Sequence, residues 1–571
     1  MKTLKQFFLF FILIATSFAI NAQTARVQVI HNSADTAAST VDVWIDNTLT
    51  LDDVDFRTAT PFLTVPSNVN LDITVQPSNS TDTVNGLFQQ TINLDSNESY
   101  IVIANGIISS SGYTPNEPFG LNIYPMAQDT SIGGASETDV LVFHGSTDAG
   151  PVDVYESSVP AGTIVDNASY GDFAGYLALV TADYTIQIRD SFDSKIVAAY
   201  EAPLSTLSLG GSAITVVASG FLDSTQNSNG PSFGLYVALP AGGALVPLPS
   251  ASIPTARLQA VHNSADAAAE KVDVWLNDEV LIDNFEFRTA SPFIDAQAGV
   301  PFVISISDST STDTTTALAQ YTFTLEEDST YQVIASGIVS PSGYSPSVPF
   351  DLHVIGSARE TANNSMETDV LVYHGATDAP AVDVDETSVP AGILVDSLSY
   401  SEFAGYLSLA TANYAIDIID ATNSQILVSY SAPLSNLNLG GEAITVIASG
   451  FVTPANNSNG AAFGLWASTA AGGPLVQLPV ITSIDEIDQS LDNSISLYPN
   501  PSTGNVKVTF DGSDVIPQMI EVLDLTGKKV REIGVSSSTV QNLNLNDLPK
   551  GTYIVKMTHN NRFSAKKLIL K

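Results

Sequence analysis

Four of the six histidines stand in one repeated context. His31-Asn-Ser-Ala-Asp35 is followed by Val41-Asp42-Val43, and the pattern returns as His144 to Asp148 with Asp153, His262 to Asp266 with Asp273, and His374 to Asp378 with Asp383. An imidazole, a carboxylate four positions on and a second carboxylate nine or eleven residues past the histidine are donor types that hold a divalent metal or pair as base and orienter. The chemistry implied is metal-dependent hydrolysis. Strand parity argues against it. His31 falls on the face of Val27 and Val29, His144 on that of Val140 and Val142, His262 on that of Leu258 and Ala260, and His374 on that of Val370 and Val372. Each ring therefore closes the core-facing side of a strand, where imidazole nitrogens are satisfied by a nearby loop, with Asp35 and its equivalents placed to supply the bond. Asp42 and its equivalents face away from these valines, toward solvent or a turn.

Other groups invite weaker readings. Arg57 and Arg288 share one slot of the repeat, as do Arg26 and Arg257; a carboxylate or glycan ligand competes there with an intradomain salt bridge, and the salt bridge is preferred. Trp44, Trp275 and Trp466 are sugar-stacking candidates, with core or edge packing preferred. Asp46, Asp52, Asp53 and Asp55 form the one acidic cluster suggestive of Ca2+, without EF-hand spacing, so no cofactor is expected and a charged edge strand is the preferred reading. Gly230-Pro-Ser-Phe-Gly234 fits a nucleophile elbow, but its twin Gly460-Ala-Ala-Phe-Gly464 has no nucleophile.

The elements that must position these groups are strands. Runs such as Leu71-Asp-Ile-Thr-Val75, Tyr184-Thr-Ile-Gln-Ile188 and Tyr414-Ala-Ile-Asp-Ile418 alternate apolar and polar residues, and Gly, Pro, Asn, Asp and Ser clusters separate them. No helical period is sustained. The expected class is all-β, as tandem Ig-like antiparallel β-sandwiches with a small C-terminal β-sandwich.

Spacing reveals a duplication. His31 to His262 is 231 residues and His144 to His374 is 230, while Phe56-Arg-Thr-Ala-Thr-Pro-Phe62 recurs as Phe287-Arg-Thr-Ala-Ser-Pro-Phe293. The order is A-B-A-B: unit A1 over 23–134, B1 over 135–249, A2 over 255–358 and B2 over 367–480, then an acidic linker over 481–494 and a last domain over 495–571. Residues 1–22 read as a signal peptide, with Lys2 and Lys5 before an apolar run and cleavage between Ala22 and Gln23. No transmembrane segment is expected after that cleavage.

Charge divides the chain in two. Of 20 basic and 60 acidic residues, the last 77 positions hold ten and six and the first 22 hold two and none, which leaves 8 against 54, or −46, on residues 23–494. Such a surface repels phosphate, so nucleic acid and anionic lipid are poor partners for the body. With no cysteine, disulfides and thiolate chemistry are excluded.

The units opening like Val372-Tyr-His-Gly-Ala-Thr-Asp378 and continuing into Phe403-Ala-Gly-Tyr-Leu407 resemble the bacterial family called domain of unknown function 4397. The resemblance spans most of residues 24–480, is closer in the B units, and implies an exported sandwich module with no reaction to carry over. The final segment resembles the type A C-terminal sorting domain of the type IX secretion system of Bacteroidetes. Its motif residues are Tyr498, Pro499, Asn500, Pro501 and Gly504, then Gly527 and Lys528, then Gly551 and Tyr553. That resemblance implies handling by the type IX machinery and a secreted protein, released or attached outside the outer membrane. Together these readings favour a non-catalytic binding, adhesion or structural role toward a glycan, matrix polymer or cell-surface partner, over a metal-dependent hydrolase or a passive spacer.

Overall fold

A computed structural model describes residues 23–481 except 160, 390 and 391, and residues 494–571 except 512–515, 518, 526, 536–537 and 560–561. The signal segment through Ala22 and most of the acidic linker, 482–493, lie outside the described residues.

The alternating runs become strands, and each unit is a sandwich of two sheets. In A1 one sheet runs in the order Gly243–Ala244, Thr58–Ala59, Thr24–His31, Ser99–Asn105, Gly120–Pro125, with Leu63–Pro66 also paired to Thr24–His31. Its partner sheet is ordered Thr48–Asp55, Thr40–Ile45, Asn70–Pro77, Phe88–Asn93. B1 repeats the plan with Phe173–Val180, Glu137–His144, Ala213–Ser219, Gly234–Ala238 and Val246–Pro247 over Gly162–Ala168, Val152–Glu156, Asp183–Asp190 and Ile196–Pro203. B2 has the same two sheets.

One feature departs from the antiparallel expectation. The strand carrying each histidine pairs in parallel with a strand some 70 residues downstream: Arg26 to His31 against Ser99 to Ala104, and likewise Asp139 to His144 against Ala213 to Ala218, Arg257 to His262 against Thr330 to Ala335, and Asp369 to His374 against Ala443 to Ala448. Local alternation shows that a segment is a strand; it carries no information about a partner so distant in sequence.

The histidine strand is buried on both faces. Val27 packs into the A1 interior with Leu71, Ile73 and Tyr100. Ile30 points the other way and joins Ile101 and Ile103 of A1 to Leu141, Phe143 and Val217 of B1 in a second core. At about 1.5–3 kcal/mol for each fully buried aliphatic or aromatic side chain, exposing these six would cost on the order of 10 kcal/mol. This shared core couples A1 to B1, and the first compact unit of the chain holds both modules together with Ala296–Ile304 and Thr322–Asp328 of the A2 sequence.

The last domain pairs Ile495–Tyr498, Asn505–Phe510 and Val540–Asn544 in one sheet and Lys529–Gly534, Met519–Leu523, Gly551–His559 and Arg562–Leu570 in the other. Val508, Ile520, Val522, Val555, Met557 and Leu568 fill the space between them. The Tyr498 to Ser502 turn is fastened to the final strand: Asn500 Nδ2 donates to Lys567 O at 2.6 Å, Asn500 Oδ1 accepts from Ile569 N at 3.0 Å, and Ser502 N donates to Ile569 O at 2.8 Å. Gly504 adopts φ 128°, and a Cβ there would lie 2.8 Å from Asn546 Cα, so glycine is required. Gly527, at φ 82°, turns between Asp524 and Lys528, whose N–H donates to Asp524 Oδ1 at 3.1 Å. Tyr553 donates its hydroxyl to Pro549 O at 2.7 Å, and Gly551 opens the same strand.

Candidate functional site: the repeated His and Asp motif

All four histidines are buried where parity places them. Each ring donates from Nε2 to the backbone carbonyl that closes its own loop: His31 to Ala38 at 2.6 Å, His144 to Gly150 at 3.1 Å, His262 to Ala269 at 2.7 Å and His374 to Pro380 at 3.0 Å. A carbonyl only accepts, so Nε2 carries the proton and Nδ1 is the acceptor. Burial lowers the pKa of all four rings against the smaller upward pull of these carbonyls, and brings His262 down to about 4. They are neutral at pH 7.

The expected His to Asp contact does not form. The aspartate instead reaches the loop that follows the parallel strand. Asp35 accepts from Ile108 N at 2.8 Å and Ser109 N at 2.6 Å, Asp148 from Leu222 N at 3.0 Å and Asp223 N at 2.9 Å. Asp266 accepts from Val339 N at 2.8 Å and Ser340 N at 2.6 Å, and Asp378 from Val452 N and Thr453 N, both at 2.8 Å. Burial works to raise the Asp35 and Asp266 carboxyls, but the donated bonds outweigh it and hold both below the usual carboxylate range. The Asp thus ties together two strand ends that run side by side.

The second carboxylate clamps a bulge. Asp42 accepts from Asp53 N at 3.0 Å, Asp153 from Asn167 N at 2.7 Å, Asp273 from Asn284 N and Asp383 from Ser397 N, both at 2.8 Å. Each donor sits at φ between 50° and 55°, a left-handed turn where the adjoining strand shifts register. Asp42 is fully buried rather than solvent-facing, and it also accepts from Ser80 N and Oγ at 2.8 and 2.6 Å. Asp42, Asp52 and Asp53 bring carboxylate oxygens within 4.8 Å of one another, yet the Asp42 oxygens already take these three donors and Asn284 replaces Asp53 in A2. Asp46 is engaged elsewhere, accepting from Asp72 N at 3.0 Å, and Asp55 accepts from Thr40 Oγ1 at 2.7 Å.

Arg57 and Arg288 correct the salt-bridge expectation. Arg57 crosses from A1 into B1, donating to Ser219 Oγ and O at 3.0 and 3.1 Å, to Tyr236 Oη at 2.6 Å and to Ser232 O at 2.9 Å, with Tyr236 beneath it at 3.9 Å. Arg288 repeats this in the second block on Ser449 and Ala462 with Trp466 at 4.2 Å, and burial lowers its pKa to about 10. Carbonyls and hydroxyls at the junction win because a planar fork fits several fixed acceptors at once. Arg57→Ala strands these acceptors and removes the stack, so the first block is expected to lose about 3 kcal/mol in urea unfolding, with the second block unchanged. Arg26 and Arg257 do make the intradomain salt bridges expected of them, to Asp129 at 2.7 Å and to Asp295 at 3.0 Å, and Arg257 also pairs with Glu360 just past A2 at 2.7 Å.

The same junction explains why A units carry Asn after the histidine and B units Gly. Asn263 Nδ2 donates to Gly375 O at 3.1 Å, and a Cβ on Gly375 would lie 2.1 Å from that nitrogen; Gly145 would meet Asn32 at 2.2 Å. The signal was present in the sequence as an Asn and a Gly exchanged between unit types in both blocks. Among the tryptophans, Trp44 is half-buried and donates to Ser80 Oγ at 2.8 Å, Trp275 is buried and Trp466 lies under Arg288, so none offers an exposed platform.

The family described as domain of unknown function DUF4397 matches residues 23–117, 138–229 and 256–385, more than half of the chain. The chain belongs to that family. The third matched segment enters B2 only as far as residue 385, and the rest of B2 is placed by its 230-residue repeat of B1. Residues 496–571 match the secretion system C-terminal sorting domain, so the DUF4397 modules are exported and lie at the cell surface or outside the cell. Among the described residues, no helix is long and apolar enough to cross a membrane. No curated protein matches the chain. Solved structures with some likeness include the Bacillus anthracis TIE protein, at 9% identity and TM-score 0.14 over 72% of this chain and 69% of that one. Another is a streptococcal family 41 carbohydrate-binding module involved in alpha-glucan recognition, at 9% identity and TM-score 0.13 over 34% of this chain and 93% of that one. Both likenesses are too slight to support an inference about ligand or activity.

Proposed function

We propose that the DUF4397 body is a non-catalytic binding or adhesion scaffold held outside the cell. One observation carries this reading: each histidine Nε2–H and each carboxylate of the fourfold motif is engaged by the backbone, so these groups tie loops and bulges of the module and do not pair as base and orienter. Acidic, repeated modules on one chain suit multivalent contact with a neutral or cationic polymer, where several weak contacts act together. Metal analysis of the purified mature chain, with a screen against glycans and matrix polymers, tests the proposal. The expected result is no stoichiometric transition metal and saturable binding to at least one polymer. A stoichiometric metal that disappears in the His144→Gln/His374→Gln variant while the fold persists would replace the proposal with the hydrolase reading. Uniformly negative binding would replace it with the spacer reading.

A further inference from the structure

The two B modules enclose matching cavities between their sheets, about 250 Å3 in B1 and about 390 Å3 in B2, whereas the A1 interior leaves about 70 Å3. One register position differs between A1 and the B modules. Opposite Val75, A1 places Phe88, whose ring packs on Phe119 at 5.1 Å. The equivalent position is Ala198 opposite Ile188 in B1 and Val428 opposite Ile418 in B2. Where A1 has a ring, B1 and B2 have smaller aliphatic side chains, as A2 has in Ala319.

The walls are aliphatic and repeat between the blocks, with Val154, Leu177 and Val216 in B1 matched by Val384, Leu407 and Val446 in B2. Large apolar side chains among the lining residues are left open to solvent: Val197 and Leu222 are 37% and 45% exposed, and their counterparts Leu427 and Val452 are 47% and 49% exposed. The polar groups of the B1 wall are already satisfied, Glu156 by Ser158 N and Val159 N and Tyr184 by Val180 O. The exception is the histidine. His144 and His374 stand in the walls, 2% and 1% exposed, and their Nδ1 acceptors have no partner. Water gains little in so apolar a space, which suits a mostly aliphatic molecule presenting one hydrogen-bond donor. The net charge of −46 on residues 23–494 disfavours a carboxylate head.

We infer that each B module binds one neutral, medium-length aliphatic molecule with a hydroxyl head, inserted between its sheets near the histidine. This site is separate from any polymer-binding surface, so the failure of either proposal leaves the other standing. The test uses the mature chain and the neutral fluorescent probe N-phenyl-1-naphthylamine, displaced by 1-decanol or by decanoate at pH 7.5. Saturable probe binding at two sites per chain is expected, with displacement by decanol at least tenfold more effective than by decanoate. Val154→Phe/Val384→Phe adds a ring at a wall position that both cavities share and is expected to weaken binding at least tenfold with the fold retained. Leu222→Asp/Val452→Asp, at exposed positions that leave the core intact, is expected to weaken it as well and decides the matter should the first variant fail to fold. Non-saturable probe binding, decanoate displacing as well as decanol, or binding undiminished in a folded variant would overturn the inference.

Discussion

Asp35→Ala is expected to destabilise the first block by on the order of 3–5 kcal/mol, the largest effect of any single replacement in the motif. The Asp35 carboxylate accepts five hydrogen bonds: from Ala37 N at 2.9 Å, Ile108 N at 2.8 Å, Ser109 N at 2.6 Å, Ser109 Oγ at 2.8 Å and Tyr113 Oη at 3.0 Å. Removing it leaves the Ile108 and Ser109 amides at the end of a strand with no local acceptor, and the loop after Asn105 loses its tie to the loop after His31. Asp35→Asn restores one oxygen but turns an NH2 toward N–H donors, so it should recover no more than half of the loss. The duplicated chain supplies its own control. Hydrogen exchange should accelerate at Ile108 and Ser109 and stay slow at Val339 and Ser340, which Asp266 holds in the same way. A loss under about 1 kcal/mol, or equal acceleration in both blocks, would show that the tie is dispensable.

How much of this was legible in the chain differs from one feature to the next, for physical reasons. Alternation at Leu71 to Val75 and at Tyr414 to Ile418 is a local property, so strand identity and the inward face of the histidines could be read directly. Export was likewise written in contiguous motifs, from Tyr498 to Gly504 onward. The partner of Asp35 was not legible, because its donors lie 73 and 74 residues away across a parallel strand pair that no local pattern encodes. Proximity in sequence made His31 look like that partner. Arg57 misled for a different reason: with acids so abundant, a carboxylate partner looked sufficient, whereas the guanidinium is fixed by Ser219, Ser232 and Tyr236 of the next module. The Asn and Gly exchanged after the histidines held the missing clue. A residue type confined to A and a complementary one confined to B marks a face shared by the two, as Asn263 over Gly375 shows. The cavities were illegible for a related reason, since their walls gather residues from strands far apart in sequence, such as Val154, Leu177 and Val216 in B1.

Acidification tests the neutral histidines together. Burial lowers the pKa of His31, His144, His262 and His374 below the ordinary value near 6.5, so the unfolded chain binds protons that the folded chain refuses. The sign follows from that difference: the stability associated with the neutral rings is complete above pH 6.5 and is lost as pH falls toward the folded pKa. For His262, at about 4, the loss across this window approaches about 3 kcal/mol. The tying aspartates Asp35 and Asp266 have lowered pKa values as well, so their share is kept through that window and lost only below about pH 4, where the unfolded carboxyls take up protons. Acid unfolding should therefore begin with the imidazoles. Melting temperature should fall steadily between pH 7 and pH 5, with the steepest loss in the segments around Ala38, Gly150, Ala269 and Pro380, the carbonyls that the rings hold. His144→Gln/His374→Gln keeps an N–H for Gly150 and Pro380 but cannot titrate, and it should flatten the contribution of the B modules while leaving that of the A modules. A melting temperature constant over pH 7 to 5 in the parent chain, or an equally steep fall in this variant, would mean that the rings do not govern the response. The slope should also survive 0.5 M NaCl, because it arises from desolvation of the rings and not from the screened repulsion among surface carboxylates.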